Sequence, residues 1–202
     1  MKIITMILGE LETNCYLLID EGSGLAAVID PADRADAIAA RLRGEGAALR
    51  YILLTHGHRD HTLAAPALHE MFPEAEVYIH EKDKNGAGIY DYPPAALIPG
   101  IKFYADGDTL TLGRATIEVI DTPGHTGGSV CLKCGGALFT GDTLFAGSIG
   151  RVDLPGAEPQ RMFASLARLA ALPGDYGVYP GHMEQSTLER ERRTNPYLYQ
   201  ML

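Results

Sequence analysis

The chain has 202 residues, 46% of them hydrophobic, and a formal net charge of −9 from 17 Lys and Arg against 26 Asp and Glu. Such a length and apolar content supply one full core, so residues 1–202 are read as a single domain, and an acidic balance with no basic run argues against RNA or DNA as partner. No apolar stretch reaches membrane-spanning length and Met1 to Leu8 is too short for a secretory signal, so no membrane partner is expected and the expected compartment is the cytosol. In chain order, strands are expected over Lys2 to Leu8, Thr13 to Asp20 and Leu25 to Asp30, followed by a helix from about Arg34 to Arg43.

The apolar run Tyr51-Ile52-Leu53-Leu54 reads as a buried strand, and it leads directly into Thr55-His56-Gly57-His58-Arg59-Asp60-His61. If extended backbone continues past Thr55, His56 and His58 point to the same side and can share one ion. Gly57 loosens the chain before a bend at which Asp60 and His61 are better placed for a second metal beside the first. A helix then runs to about Met71, with Pro66 tolerable only near its first turn. His69 in that helix and His80 at the end of the strand Glu76 to His80 have no ligand-type neighbour at useful spacing, and both are read as ordinary histidines. The segment Asn85 to Gly100, with Tyr90, Tyr92, Pro93, Pro94 and Pro99, is loop-like, and it either covers a site mouth or packs its aromatics.

In the second half, strands are expected near Ile101 to Tyr104, Thr109 to Leu112, Ala115 to Ile120, Ser129 to Cys134 and Ala137 to Thr140. A helix near Gln160 to Leu172, a strand to Tyr179 and a final helix near Ser186 to Arg193 follow. Three of these strand ends carry a donor: His125 in Thr122-Pro123-Gly124-His125-Thr126, Asp142 in Thr140-Gly141-Asp142, and His182 after Tyr179-Pro180-Gly181. Loops at strand ends are where ligands are commonly presented, and the two oxygens of Asp142 suit it to bridging two cations. Cys15, Cys131 and Cys134 are odd in number and cannot all pair in one chain. Cys131 and Cys134 lie three apart on a strand, hence on opposite faces, and are read as small buried hydrophobes in a reducing compartment.

Taken together, Thr55-His56-Gly57-His58-Arg59-Asp60-His61, His125, Asp142 and His182 resemble the ligand pattern of the metallo-β-lactamase-fold hydrolases, within them the glyoxalase II-like branch. The resemblance runs from Asn14-Cys15-Tyr16-Leu17 and Val28-Ile29-Asp30-Pro31 to Asn195-Pro196-Tyr197-Leu198. It implies an α/β fold of the four-layer αββα sandwich type, which the strand-to-helix order of both halves suits, with the ligands along one edge. It further implies His56, His58 and His125 on one metal, Asp60, His61 and His182 on a second, and Asp142 bridging. The cofactors implied are two divalent ions, zinc first, with iron and manganese also compatible with these donors.

The activity implied is hydrolysis of a small-molecule thioester by a metal-activated hydroxide, with Asp60 orienting the hydroxide or handling its proton; the protein would act as a monomer or homodimer. The loop Gly150-Arg151-Val152-Asp153-Leu154-Pro155-Gly156 resembles that of small glyoxalase II-like hydrolases, and Arg151 either anchors an acidic substrate group or is held by a loop acid such as Asp153. The sequence ends soon after His182, whereas full-length glyoxalase II has a C-terminal helical region that contributes to glutathione binding, so a thioester of a different thiol is also expected. A persulfide dioxygenase with one iron on two His and one Asp is the rival reading. The Leu154-Pro155-Gly156 continuation favours the hydrolase, and the acidic charge disfavours an RNA-processing nuclease.

Overall fold

A computed structural model of the chain describes residues 1–87 and 94–199. The first half forms β1 (Lys2–Leu8), β2 (Thr13–Asp20), β3 (Leu25–Ile29), α1 (Ala35–Gly44), β4 (Ala48–Leu53), α2 (Arg59–Thr62), α3 (Ala65–Met71), β5 (Glu76–His80) and β6 (Lys102–Tyr104). Its six strands make one sheet in sequence order, antiparallel from β1 to β3 and parallel from β3 to β6. β2 is buried along its whole length because its alternating side chains enter two different apolar layers. Cys15, Leu17 and Ile19 pack outward with Ile38, Leu42 and Leu68 of α1 and α3, while Tyr16 and Leu18 point inward.

The second half contributes β7 (Thr109–Leu112), β8 (Ala115–Asp121), β9 (Val130–Cys134), β10 (Ala137–Gly141), the two-residue pair β11 (Leu144–Phe145) and β12 (Ser148–Ile149), α4 (Pro159–Ala170), β13 (Gly177–Pro180), β14 (Ser186–Thr187), α5 (Leu188–Thr194) and α6 (Pro196–Tyr199). Its main sheet has the order β14-β13-β10-β9-β8-β7, and only β10 and β13 pair in parallel. Between the sheets, Tyr16, Leu18, Ile29, Tyr51 and Leu53 meet Ile117, Val119, Leu132 and Phe139. On the far face, Ile120, Cys131, Leu138 and Val178 pack on Met162, Leu166 and Leu169 of α4. The order of layers is thus helix, sheet, sheet, helix, the αββα arrangement expected.

Several local features differ from expectation. The bend that carries Asp60 and His61 is itself a short helix, α2, and the helix after the motif begins only at Ala65, as α3, with Pro66 in its first turn where no N–H is needed. Ser186 and Thr187 form a short strand rather than a helix start, because Thr187 is the cap: its hydroxyl accepts from the backbone N–H of Arg190 at 3.2 Å. Tyr90, Tyr92 and Pro93, the centre of the expected loop, lie outside the described residues, and Pro94–Leu97 is a 3-10 turn. Cys131 and Cys134 are buried, free and on opposite faces of β9, one against α4 and the other between the sheets. Among the described residues no helix is long and apolar enough to cross a membrane.

Candidate metal centre

β4 ends at Leu53, and the chain beyond it is steered by two buried carboxylates from other elements. Asp30, at the end of β3 with a left-handed φ of 51°, accepts from the Thr55 N–H at 2.8 Å and from its hydroxyl at 2.7 Å, and its Oδ2 lies 2.9 Å from His61 Nδ1. Asp83, in the turn after β5, accepts from the Gly57 N–H at 2.9 Å and from the Thr126 hydroxyl at 2.5 Å. It ties the first histidine loop to the loop carrying His125. Gly57 is required here because a Cβ would collide with the Asp83 backbone. At Gly181 a Cβ would occupy the space of Asp142 Oδ1 and the His61 ring.

These constraints bring all seven expected ligands together in three overlapping groups whose donor atoms lie within 4.8 Å of one another: His56, His58 and His125; His56, His61 and Asp142; and Asp60, His61 and His182. Asp142 stands between the outer two, with Oδ2 3.4 Å from His125 Nε2 and 3.7 Å from His182 Nε2, and Oδ1 3.4 Å from His61 Nε2. Asp60 Oδ2 is 3.3 Å from His182 Nε2 and 3.5 Å from His61 Nε2.

The surroundings set the tautomers. His125 Nδ1 faces the Arg151 carbonyl at 2.8 Å and His182 Nδ1 the Leu11 carbonyl at 3.0 Å, so each must carry its proton there. His61 Nδ1 donates to Asp30, and His56 Nδ1, 3.1 Å from the Thr55 hydroxyl, donates to an oxygen whose own proton goes to Asp30. Four Nε2 atoms are therefore turned inward, each offering a lone pair to a metal once any proton on it is displaced. His58 Nδ1 lies 2.8 Å from His125 Nε2 and 3.1 Å from His56 Nε2. One proton satisfies at most part of that triangle, whereas a divalent cation uses all three lone pairs. Asp142 Oδ1 is buried and accepts no hydrogen bond, which again suits a cation. The residues present fit two metal ions.

The electrostatics divide the cluster. Burial, reinforced by neighbouring imidazoles, pushes His56 well below its ordinary value and His58 down to about 4. Burial acts downward on His61 too, but Asp142, Asp30 and Asp60 together outweigh it and raise that imidazole to about 10. His182 is likewise raised, the Asp60 hydrogen bond and Asp142 overcoming its burial. Burial opposes ionisation of Asp60, yet His182 and His61 hold it below the usual carboxylate range.

Arg151 shows the loop pairing that was the alternative to substrate anchoring. Its side chain is exposed and paired with Asp153 at 2.9 and 3.0 Å, while its backbone carbonyl orients His125. His69 and His80 lie outside all three groups; His69 Nδ1 faces the Ala75 carbonyl and His80 Nδ1 accepts from the Lys82 N–H. Sequence reasoning did not assign roles to Asp30 and Asp83. Only their position at or just beyond the ends of expected strands hinted at them.

The sequence matches the family described as "Metallo-beta-lactamase superfamily" over residues 8–182. This chain belongs to the metallo-β-lactamase superfamily. It is 33% identical to a Haemophilus influenzae protein named hydroxyacylglutathione hydrolase GloC, over 93% of each chain. The crystal structure of TTHA1623 in a di-iron-bound form superposes with a TM-score of 0.83 at 36% identity, covering 96% of this chain and 100% of that one. ETHE1 from Myxococcus xanthus gives a TM-score of 0.83 at 29% identity, over 97% of this chain and 84% of that one. Family and relatives support a metal-dependent hydrolase of this fold with glyoxalase II-like relatives.

Proposed function

We propose that the protein is a dinuclear hydrolase of thioesters, with zinc as the first expected metal, acting in the cytosol on a small-molecule substrate as a monomer or homodimer. The observation that carries the reading is the inward convergence of four Nε2 atoms, His58 Nδ1 and the Asp60 and Asp142 carboxylates. His56, His58 and His125 would hold one ion and Asp60, His61 and His182 the other, with Asp142 shared. Bound there, divalent cations supply Lewis acidity and lower the pKa of water to about 7.

The chain's own residues do the rest. Asp60, kept ionised by His182 and His61, has a fifth of its side chain exposed and meets solvent at the site mouth. Its Oδ2 can accept a hydrogen bond from an attacking water and orient it. Thr13, whose hydroxyl is 3.4 Å from that oxygen, helps fix the carboxylate. The three cysteines are buried, with Cys15 and Cys131 pushed far toward the thiol form by burial, so none serves as nucleophile. With water as nucleophile, a substrate whose leaving group departs as a stable anion needs no acid to assist it, and a thiolate meets that need.

The test is metal content on protein purified without chelator and with oxygen excluded, then a thioester panel beginning with S-lactoylglutathione. About two ions per chain with thioester hydrolysis supports the reading. A single iron with oxygen consumption on a persulfide supports the second reading, a mononuclear iron dioxygenase, which the likeness to ETHE1 favours.

A further inference from the structure

A cavity of about 320 Å³ opens beside the metal centre, and Asp60 forms part of its wall. Arg59, the first residue of α2 and chain neighbour of Asp60, lines the same cavity and is its one cationic lining residue. Most basic side chains on this surface are paired: Arg34 with Asp36, Arg151 with Asp153, Arg161 with Glu158, Arg168 with Asp106 and Arg193 with Glu189. Arg59 is exposed, yet its guanidinium makes no ion pair, hydrogen bond or ring contact with any described residue. Leu11 and Leu63 give the cavity apolar walls, whereas Glu10 and Asp33 place two carboxylates on its lining, neither in an ion pair among the described residues.

We infer that this cavity is a substrate subsite in which Arg59 binds a carboxylate on the limb of the substrate next to the scissile bond. The inference rests on the hydrolase reading for the identity of the reacting group. A guanidinium presents a planar fork of donors that matches a carboxylate and stays charged at any working pH. Because Arg59 and the ligand Asp60 are consecutive, a carboxylate held by Arg59 lies within a side chain's length of the metal ligands, which sets the separation between anion and reacting carbonyl. Glu10 and Asp33 repel an anion from the rest of the lining, so an anionic limb is held at Arg59 or excluded. The subsite thus selects small acidic thioesters over neutral ones of the same length.

The experiment compares two thiols on the zinc-loaded protein by calorimetry, 3-mercaptopropionate and its methyl ester, which share the zinc-binding sulfur and differ at the carboxylate, with affinities corrected for the thiolate fraction of each. Wild type is expected to bind the acid about tenfold more tightly, a difference within the range for a charge-assisted contact. Arg59→Ala should erase that preference and Arg59→Glu reverse it. Arg59→Lys, which keeps the charge, should retain most of it, whereas a mere packing defect at position 59 would not be rescued by lysine. No preference in the wild type, or a preference that survives in Arg59→Ala, overturns the subsite. The carboxylate preference appearing and vanishing as expected in a protein that hydrolyses no thioester leaves the subsite standing and removes the thioesterase reading. Thioester hydrolysis without any carboxylate preference does the reverse.

Discussion

The two ends of the metal cluster are built from similar donors but differ in environment. His56, His58 and His125 are at most 4% exposed and sit deep between the sheet edges, whereas the side chains of Asp60 and His182 are 20% and 21% exposed beside the cavity. In the inner group, burial and neighbouring imidazoles push His56 and His58 down, while in the outer group carboxylates pull His61 and His182 up. On the proposed reading, the buried end would hold its ion and the partly exposed end would be the one that meets solvent.

The largest expected effect comes from emptying the inner end. His58→Ala should lose the ion of the inner group and lower turnover by more than about 100-fold, beyond the usual cost of disturbing a partner of a ligand. Elemental analysis beside kinetics checks this, and full metal content with normal turnover would remove His58 from the ligand set. Asp30→Asn tests whether one buried carboxylate serves both ends, since it holds Thr55 next to His56 and also His61. It should cost about 10- to 100-fold in activity or metal affinity. An equal loss of both ions is expected, because Thr55 and His61 lose their acceptor together.

Acid titration sharpens the contrast without mutation. Metal must displace protons from His61, raised to about 10, and from His182, which is also raised, whereas His58 stays neutral until the pH approaches about 4. Lowering the pH from neutrality should thus strip the outer ion first, and dialysis at a series of pH values should show two ions per chain falling to one before none. Simultaneous loss would break the distinction between the two ends.

Asp83→Ala is expected to destabilise the fold by about 1–3 kcal/mol, since it leaves the buried Gly57 N–H and Thr126 hydroxyl without their acceptor. Chemical denaturation measures it, and an unchanged midpoint would show that the two loops are held by other means. The smallest effect belongs to Arg151→Ala. The backbone carbonyl that orients His125 survives the change, and the lost pair with Asp153 is exposed, so kcat and KM should move by no more than about twofold. A large rise in KM would restore the side chain as a substrate anchor.

Much of this was legible in the sequence because it is local. Short runs of strand-forming residues placed β1, β2 and β5 at their observed bounds, and the expected β7 is also matched. The spacing of His56, His58, Asp60 and His61 put donors on an extended segment and then on a bend, which is how they divide between the inner and outer groups. The short β11 and β12 pair and α6 escaped notice because two to four residues carry no readable period. The later start of α3, at Ala65, was missed for a similar reason, since Thr62, Leu63 and Ala64 are compatible with a helix.

The sequence by itself determined the donor chemistry: which side chains can bind a metal, at which strand ends they stand, and that no cysteine joins them. Only the tertiary structure decided which nitrogen of His61, His125 and His182 faces inward, because the oxygens that hold the opposite nitrogens come from distant parts of the chain. Asp30 reaches His61 across 31 residues, Arg151 reaches His125 across 26, and Leu11 reaches His182 across 171. A hydrogen bond acts over about 3 Å, so such pairs exist only once the two sheets have packed and brought their ends to one edge.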